Sequence, residues 1–350
     1  MTKKKTPKFY PTVSVCTPTF NRRPFINTMF ECFKNQLYPK DKIEWIIIDD
    51  GTDKIKDLVE KSGIPQIKYF ELDSKITLGA KRNLMHEKTT GDIIVYMDDD
   101  DYYPPERIQH AVEMLMSKQD ILVAGASELY VYFKHINTMY QAGPYAPNHA
   151  TAGTFAFKKE LLKITKYNDS KSLAEEQEFL KDYSIPMVQL DPLKTILVFS
   201  HIHNTFDKKE LLKNSNDFFK PSDKKVEYFI KFTKEASIKK FFMEDIETLL
   251  QEYEPGAPAS KPDVLNQIKQ SKTERLNEEI KFHHAHLLRC INSLENVIEE
   301  SKCISEIDTL KNLNLSLIVR LKQLTKLYEE ECLKTKKSET QEWDLIEKSN

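Results

Sequence analysis

The stretch Ile93-Ile94-Val95-Tyr96-Met97-Asp98-Asp99-Asp100-Asp101 decides how the chain is read. Five largely apolar residues run straight into four carboxylates. An apolar run this short reads as a strand buried on both faces, as in a mostly parallel α/β sheet. The acids then stand just past its carboxyl end, where open α/β sheets place their ligands. Four adjacent carboxylates repel one another unless a cation or hydrogen-bond donors offset the charge. Hard divalent cations take oxygen ligands, and Mg²⁺ is typically held by one or two carboxylates plus substrate phosphates. Asp98 and Asp100 are two apart, so in extended backbone they point to the same side. Taken alone, the cluster also fits a solvated acidic turn before Pro104-Pro105.

The residues before it alternate between strand and helix. Thr12 to Cys16 is a β-branched strand, broken by Thr17-Pro18-Thr19-Phe20-Asn21-Arg22. Arg23 to Leu37 has helical spacing and stops before Pro39. Glu44 to Ile48 is a second strand, and it too ends in acids, Asp49-Asp50. Ile55 to Lys61 is a short helix, Ile67 to Phe70 a third strand, and Gly79 to Lys88 a helix with Lys81-Arg82-Asn83 in its first turn. A helix from about Pro105 to Met116 follows the acidic strand. The βαβαβαβ pattern implies an α/β, Rossmann-like, mostly parallel sheet. Two strands of one sheet that both end in acids are less expected by chance than one. Trp45 and Phe20 read as core.

Residues 121–206 change character. Ile121 to Gly125 and Glu128 to Phe133 read as a hairpin at one side of the sheet. Tyr140 to Ala156 reads as a shaped loop and Phe157 to Ile164 as a short helix. Glu175-Glu176-Gln177-Glu178 starts another helix, which on its own terms is acid complementing a helix N-terminus. Met187 to Leu190 and Thr195 to Phe199 are strands, the second running into His201 and His203. From Lys208 onward strand signals vanish. Tyr228 to Tyr253 is an amphipathic helix, and Glu254-Pro255-Gly256-Ala257-Pro258-Ala259-Ser260-Lys261-Pro262 reads as a linker. Residues 264–333 are helical, with one seam at Leu287, Leu294 and Ile298. A second runs through Leu310, Leu317, Leu321, Leu324 and Tyr328, weakened by Asn312, Asn314 and Ser316. A helical hairpin and a coiled coil that joins copies of the chain fit equally well. The organisation read from this is 1–206 catalytic, 207–254 a helical extension, 255–263 linker and 264–350 helical.

Composition narrows the classes further. With 40% apolar and 30% charged residues and a net charge of −2, a globular protein is expected. Nothing in that charge points to nucleic acid as a partner. The five cysteines are odd in number and lack C-x-x-C spacing, which suits idle thiols in a reducing compartment. Lys3-Lys4-Lys5 is followed by no apolar stretch of a signal peptide, and no run approaches the ~18 apolar residues of a membrane span. The location expected is cytoplasmic, with the lysine cluster the one feature suited to a membrane surface.

Four motifs, Thr17-Pro18-Thr19-Phe20-Asn21-Arg22, Ile48-Asp49-Asp50-Gly51, Gly79-Ala80-Lys81-Arg82-Asn83 and Met97-Asp98-Asp99-Asp100-Asp101, occur in the order and at the spacing of family 2 glycosyltransferases of the GT-A fold. The chain resembles that family over about residues 12–206, and the helical tail lies outside the resemblance. The resemblance implies an inverting enzyme that moves a sugar from a nucleotide donor, with a UDP-sugar the first choice, to a glycan, protein or lipid acceptor, with Mn²⁺ or Mg²⁺. It implies that Thr17, Pro18 and Thr19 lie along the nucleotide and that Thr17 and Arg22 are near base and ribose. It also implies Asp49 or Asp50 as the acid after strand two, and Lys81, Arg82 and Asn83 beside the nucleotide. Asp98 and Asp100 match the DxD motif, with Pro105 at the usual offset. Asp100 would bind metal, Asp98 ribose or metal, and Asp99 and Asp101 would support them. Glu176, or else Glu175, takes the place of the general base, where the family usually has Asp. His201, or else His203, matches a metal-site histidine. Gly153, in the small-residue loop His149 to Thr154, would let backbone approach the donor sugar or the acceptor. Two other classes compete. A nucleotidyltransferase would need a Gly-rich loop after strand one, which Thr17 to Arg22 lacks. A non-catalytic sugar-nucleotide scaffold would not need the intact acids.

Overall fold

β-branched and aromatic residues build a seven-stranded sheet whose core is β1 (Val13–Thr19), β2 (Ile43–Asp49), β3 (Ile67–Glu71) and β4 (Ile93–Tyr96), all parallel. Helices α1 (Arg23–Lys34), α2 (Lys56–Ser62) and α3 (Leu78–Lys88) make the crossovers, and α4 (Arg107–Ser117) follows β4. The computed structural model describes residues 10–204, 206–213, 217–231, 233–300, 315, 316, 318–320, 322, 323 and 326. Lys3 to Lys5, Phe232, Cys303, Cys332, Asn312, Asn314 and the whole second seam lie outside the described residues, as do the side chains of Leu294 and Ile298.

The sheet order is β3-β2-β1-β4-β8-β5-β9, with β5 Val123–Gly125, β8 Ala156–Lys158 and β9 Met187–Gln189. β8 runs antiparallel to both β4 and β5, and β9 is parallel to β5. A second sheet has the order β10-β6-β7-β11, made of β6 (Leu129–Phe133), β7 (Thr138–Ala142), β10 (Leu197–Ser200) and β11 (Phe219–Ser222). The α/β reading with a mostly parallel sheet holds.

Several local expectations need correcting. Thr17-Pro18-Thr19 continues β1 instead of breaking it. β4 pairs with β1 only as far as Cys16, so Pro18 lacks its N–H where no β4 partner needs it. β5 and β6 are not a hairpin; they lie in different sheets. The true hairpin is β6–β7, turned at Asn137, whose φ of 49° is left-handed. Its second strand, β7, runs two residues ahead of and then into the stretch expected to be loop. Phe157 belongs to β8, and only Lys159–Lys163 forms a 3₁₀ turn. β11 is a strand beyond Lys208, with Pro221 tolerated because β11 is an edge.

The amphipathic segment is shorter than expected: α6 (Ala236–Lys240) and α7 (Ile246–Gln251) flank a π turn at Phe241–Asp245. Its apolar side, Ile238, Phe242, Ile246 and Leu250, packs with Phe25, Tyr130, Tyr132 and Phe199 in one cluster. The linker expectation for 255–263 also fails. This segment forms two 3₁₀ turns, Glu254–Gly256 and Pro258–Ser260, and then enters α8 (Pro262–Glu300). Asn21 Nδ2 donates to the Pro255 carbonyl at 2.8 Å. A Cβ on Gly256 would stand 2.6 Å from the Asn21 carbonyl oxygen, so the glycine marks close packing here, not looseness. The first compact unit ends at Gln267 and a second begins at Ile268. Among the described residues, no helix is long and apolar enough to cross a membrane.

Candidate active site

β1 and β4 end side by side, and their carboxyl ends open into a cleft of about 170 Å³. Pro18, Thr19, Phe20 and Arg22 follow β1 along one wall, and Asp98, Asp99 and Asp100 follow β4. Lys75, Ile76, Leu78, Lys81 and Arg82 come from α3 and the loop before it, with Ser172, Lys261, Asp263 and Val264 completing the lining. Phe20 is therefore a wall residue, not core.

Asn21 adopts a left-handed conformation, φ 51°, and Arg22 follows it onto the acidic loop. Arg22 Nε is 3.6 Å from Asp99 Oδ1, and its Nη2 is 3.2 Å from Asp100 Oδ2. His201 Nε2 is 3.4 Å from the same Asp100 oxygen. His201 Nδ1 accepts from the His203 backbone N–H at 3.2 Å, and its Nε2 stands 2.8 Å from Asn204 Nδ2 as well as near Asp100.

This arrangement divides the four aspartates. Burial alone would raise Asp100, but Arg22 and His201 hold it well below the usual carboxylate range. Burial and the Asp100 charge push Asp99 up to about 7. Asp98 is raised by burial and by Asp100, against Arg82. Asp101 is raised further by burial and Asp100. Asp98 Oδ1, Asp99 Oδ2 and Asp101 Oδ1 are buried with no hydrogen-bond partner among the described residues. Such atoms are costly unless something else satisfies them. Among the described residues, no three His, Cys, Asp or Glu side chains converge on one point to hold an ion unaided. A Mg²⁺ or Mn²⁺ held by one or two carboxylates, with donor phosphates and water as its other ligands, needs no such cluster. An oxygen-rich loop with unsatisfied oxygens and one imidazole fits that kind of ion.

The acids after β2 serve the loops. Asp49 accepts from Gly51 N at 2.9 Å, Ile55 N at 3.1 Å and Tyr69 OH at 2.6 Å. Asp50 accepts from Ile76 N at 2.9 Å and pairs with Lys81. Lys81 in turn donates to the Thr19 carbonyl at 3.1 Å, so this buried pair fixes the end of β1. Thr17 faces the core, donating to the Met97 carbonyl at 2.6 Å and accepting from Trp45 Nε1 at 2.9 Å. Asn83 turns to the Tyr167–Asp169 loop. Thr17, Asp49, Asp50 and Asn83, expected beside a nucleotide, thus make hydrogen bonds that brace the strands and loops behind the cleft.

Arg82 links the cleft to the candidate base. Its guanidinium lies 4.5 Å from the Tyr96 ring centroid, and its Nε is 2.7 Å from Glu175 Oε1. Glu175, at the start of α5 (Glu175–Phe179), is buried in that pair. Glu176 is half-buried, and among the described residues no side chain hydrogen-bonds its carboxylate. Burial and the neighbouring Glu175 push it up to about 7, Asp98 adding to the rise and Arg82 opposing it. Ala174 precedes them with φ 52°, a conformation that costs of order 1–3 kcal/mol and clusters at functional sites.

Gly153 meets the acidic loop, since a Cβ there would lie 2.7 Å from Asp98 Oδ2. His203 turns away from the acids. Its Nδ1 faces Gly256 and its ring stands 6.2 Å from that of Tyr253. The second histidine thus packs against the 253–256 turn.

The motif reading missed Lys75, Lys261 and Asp263. Lys75 Nζ is 2.5 Å from Asp263 Oδ1, and Ser172 Oγ donates to Asp263 Oδ2 at 2.6 Å. A signal was present in Ser260-Lys261-Pro262-Asp263, where Pro at the first helical position and an acid in the first turn mark a helix start inside the supposed linker. Arg107 was missed too: wholly buried, it donates to the Tyr96 and Phe155 carbonyls at 3.1 and 2.8 Å and braces β4 against β8.

Residues 14–170 match the family described as Glycosyl transferase family 2. An uncharacterized glycosyltransferase of Haemophilus influenzae is 24% identical over 227 residues, 60% of this chain and 84% of that protein. The poly(ribitol-phosphate) beta-N-acetylglucosaminyltransferase TarS of Staphylococcus aureus is 28% identical over 105 residues, 29% of this chain but 18% of TarS. The crystal structure of TarS residues 1–349 superposes with a TM-score of 0.45 at 20% identity, covering 54% of this chain and 60% of that one.

Proposed function

We propose that the chain, whose residues 14–170 match glycosyl transferase family 2, is a glycosyltransferase that moves a sugar from a nucleotide donor, a UDP-sugar in the first instance, to an acceptor hydroxyl with inversion at the anomeric carbon. The observation that carries the reading is the cleft at the sheet's carboxyl edge, lined by Arg22, Lys75, Lys81, Arg82 and Lys261 together with the acidic loop. Asp100 and Asp98 are assigned to Mn²⁺ or Mg²⁺, with His201 beside Asp100. When bound, the ion offsets charge developing on the departing diphosphate.

The chain's own residues do the rest. Pro18, Thr19 and Phe20 hold the nucleotide along the end of β1. Arg22 keeps Asp100 ionised at the donor phosphates. Glu176 takes the proton from the acceptor hydroxyl as its oxygen bonds to the anomeric carbon. The electron pair of the breaking carbon–oxygen bond leaves with the nucleoside diphosphate. Glu175 is held by Arg82 and is not free for that task; its charge raises Glu176 toward the working range of a base. The product's anomeric configuration, read by NMR, tests the stereochemistry: inversion is expected, and retention would overturn the single-displacement reading.

A pH prediction follows. The base must be deprotonated, and Glu176 titrates near 7 among Glu175, Arg82, Asp98 and Tyr183. kcat/KM should therefore fall about tenfold per pH unit as the pH drops below about 7, and level off above it. A flat profile from pH 5.5 to 8 would remove Glu176 from the role.

A further inference from the structure

The cleft has a wall that no family motif supplies. Residues 255–264 lie well beyond the matched segment, yet Lys261 and Asp263 line the same cleft as Arg22 and Asp98 to Asp100. Lys261 is 7% exposed. Its Nζ lies 5.9 Å from the Phe20 ring centroid, and around that ring stand Lys81 Nζ at 5.9 Å and Lys75 Nζ at 5.3 Å. Three ammonium groups thus surround one aromatic residue on the cleft wall. Asp50 pairs with Lys81, Asp263 pairs with Lys75, and the Asp99 and Asp100 carboxylates act on Lys261.

Arg22 adds an independent observation. Its side chain is 4% exposed and lines the cleft, and its Nη1 is buried with no hydrogen-bond partner among the described residues. An unsatisfied guanidinium nitrogen and a buried ammonium on one cleft are the donors that phosphate oxygens take, the first by its planar fork and the second as a point charge.

We propose that Lys261 binds the diphosphate of the nucleotide donor together with Arg22, so that the 255–264 segment is a working part of the catalytic unit. The inference rests on the nucleotide-sugar reading above and adds to it a residue from outside the family domain. The Asp263 contacts with Lys75 and Ser172 are what hold the segment in register. Lys261 is then a binding residue for the donor phosphates and has no part in the proton transfer assigned to Glu176.

The test is calorimetric binding of UDP and of uridine, and in parallel of GDP and guanosine, to the full chain and to Lys261→Ala and Lys261→Arg, with Mn²⁺ present. A contact to phosphate predicts that Lys261→Ala weakens diphosphate binding about tenfold or more, changes nucleoside binding less than about twofold, and is largely rescued in Lys261→Arg. Retained nucleoside binding also reports that the variant is folded. If Lys261→Ala binds diphosphate as the unaltered chain does, or loses nucleoside and diphosphate equally, the assignment fails while the donor reading stands. If the unaltered chain binds neither UDP nor GDP, the donor reading fails and the assignment with it.

Discussion

Glu176→Gln should lower transfer by about 10²–10⁴-fold, the usual contribution of a positioned general base, while nucleotide binding stays within about twofold of the unaltered chain. The substitution keeps the shape of the side chain and removes only its ability to accept a proton. Among the described residues no side-chain hydrogen bond is lost with it, and the amide oxygen can still accept from the residue's own backbone N–H. Glu175→Gln makes the contrasting case. Its carboxylate is the buried partner of Arg82 at 2.7 Å. Removing one charge of a buried pair typically costs about 3–5 kcal/mol, so this variant should show a lowered melting temperature first and an activity loss second. Single-turnover transfer and thermal melts on both variants separate the roles. An intact Glu176→Gln enzyme beside an inactive but stable Glu175→Gln would move the base to Glu175.

Asp100→Asn is the second large effect. Asp100 is the one acid of the four that Arg22 and His201 hold ionised. Its loss should cost about a hundredfold or more in turnover, the scale on which a single electrostatic contact at a developing charge is felt. A binding readout accompanies the kinetic one. Mn²⁺ should strengthen UDP binding to the unaltered chain and leave binding to Asp100→Asn unchanged. Asp101→Asn serves as the comparison: burial and the Asp100 charge both disfavour the charged form of Asp101, so the neutral amide should cost far less. Equal losses in the two variants would contradict the division of roles among the aspartates.

The sheet was legible because its signals are local. Short apolar strands ending in acids, each followed by a helix with 3.6-residue spacing, can be read from Val13 to Ser117 without knowing what touches what. The acidic loop and the Glu175-Glu176 pair were legible for the same reason. What failed depended on contacts distant in sequence. Nothing around Thr17 says that its hydroxyl will meet Trp45 and the Met97 carbonyl, and nothing around Asp49 says that Tyr69 will claim its oxygen. β11 is a polar edge strand with a proline, which no alternation rule would find. The 255–263 segment misled most. Pro and Gly usually mark a free connection, but Gly256 is there because backbone and the His203 ring come too close for a Cβ. The site's last wall was hidden by reading tight packing as looseness.

The central claim is that this cleft releases a nucleoside diphosphate from a sugar nucleotide as part of transfer. The direct measurement incubates the full chain with a panel of UDP- and GDP-sugars and Mn²⁺ and records nucleotide release, with and without EDTA. The account predicts release from a restricted set of donors, lost on chelation, restored by added Mn²⁺ and absent in Asp100→Asn. Release that is indifferent to EDTA and to Asp100→Asn, or no release from any donor beside measurable UDP or GDP binding, would contradict it.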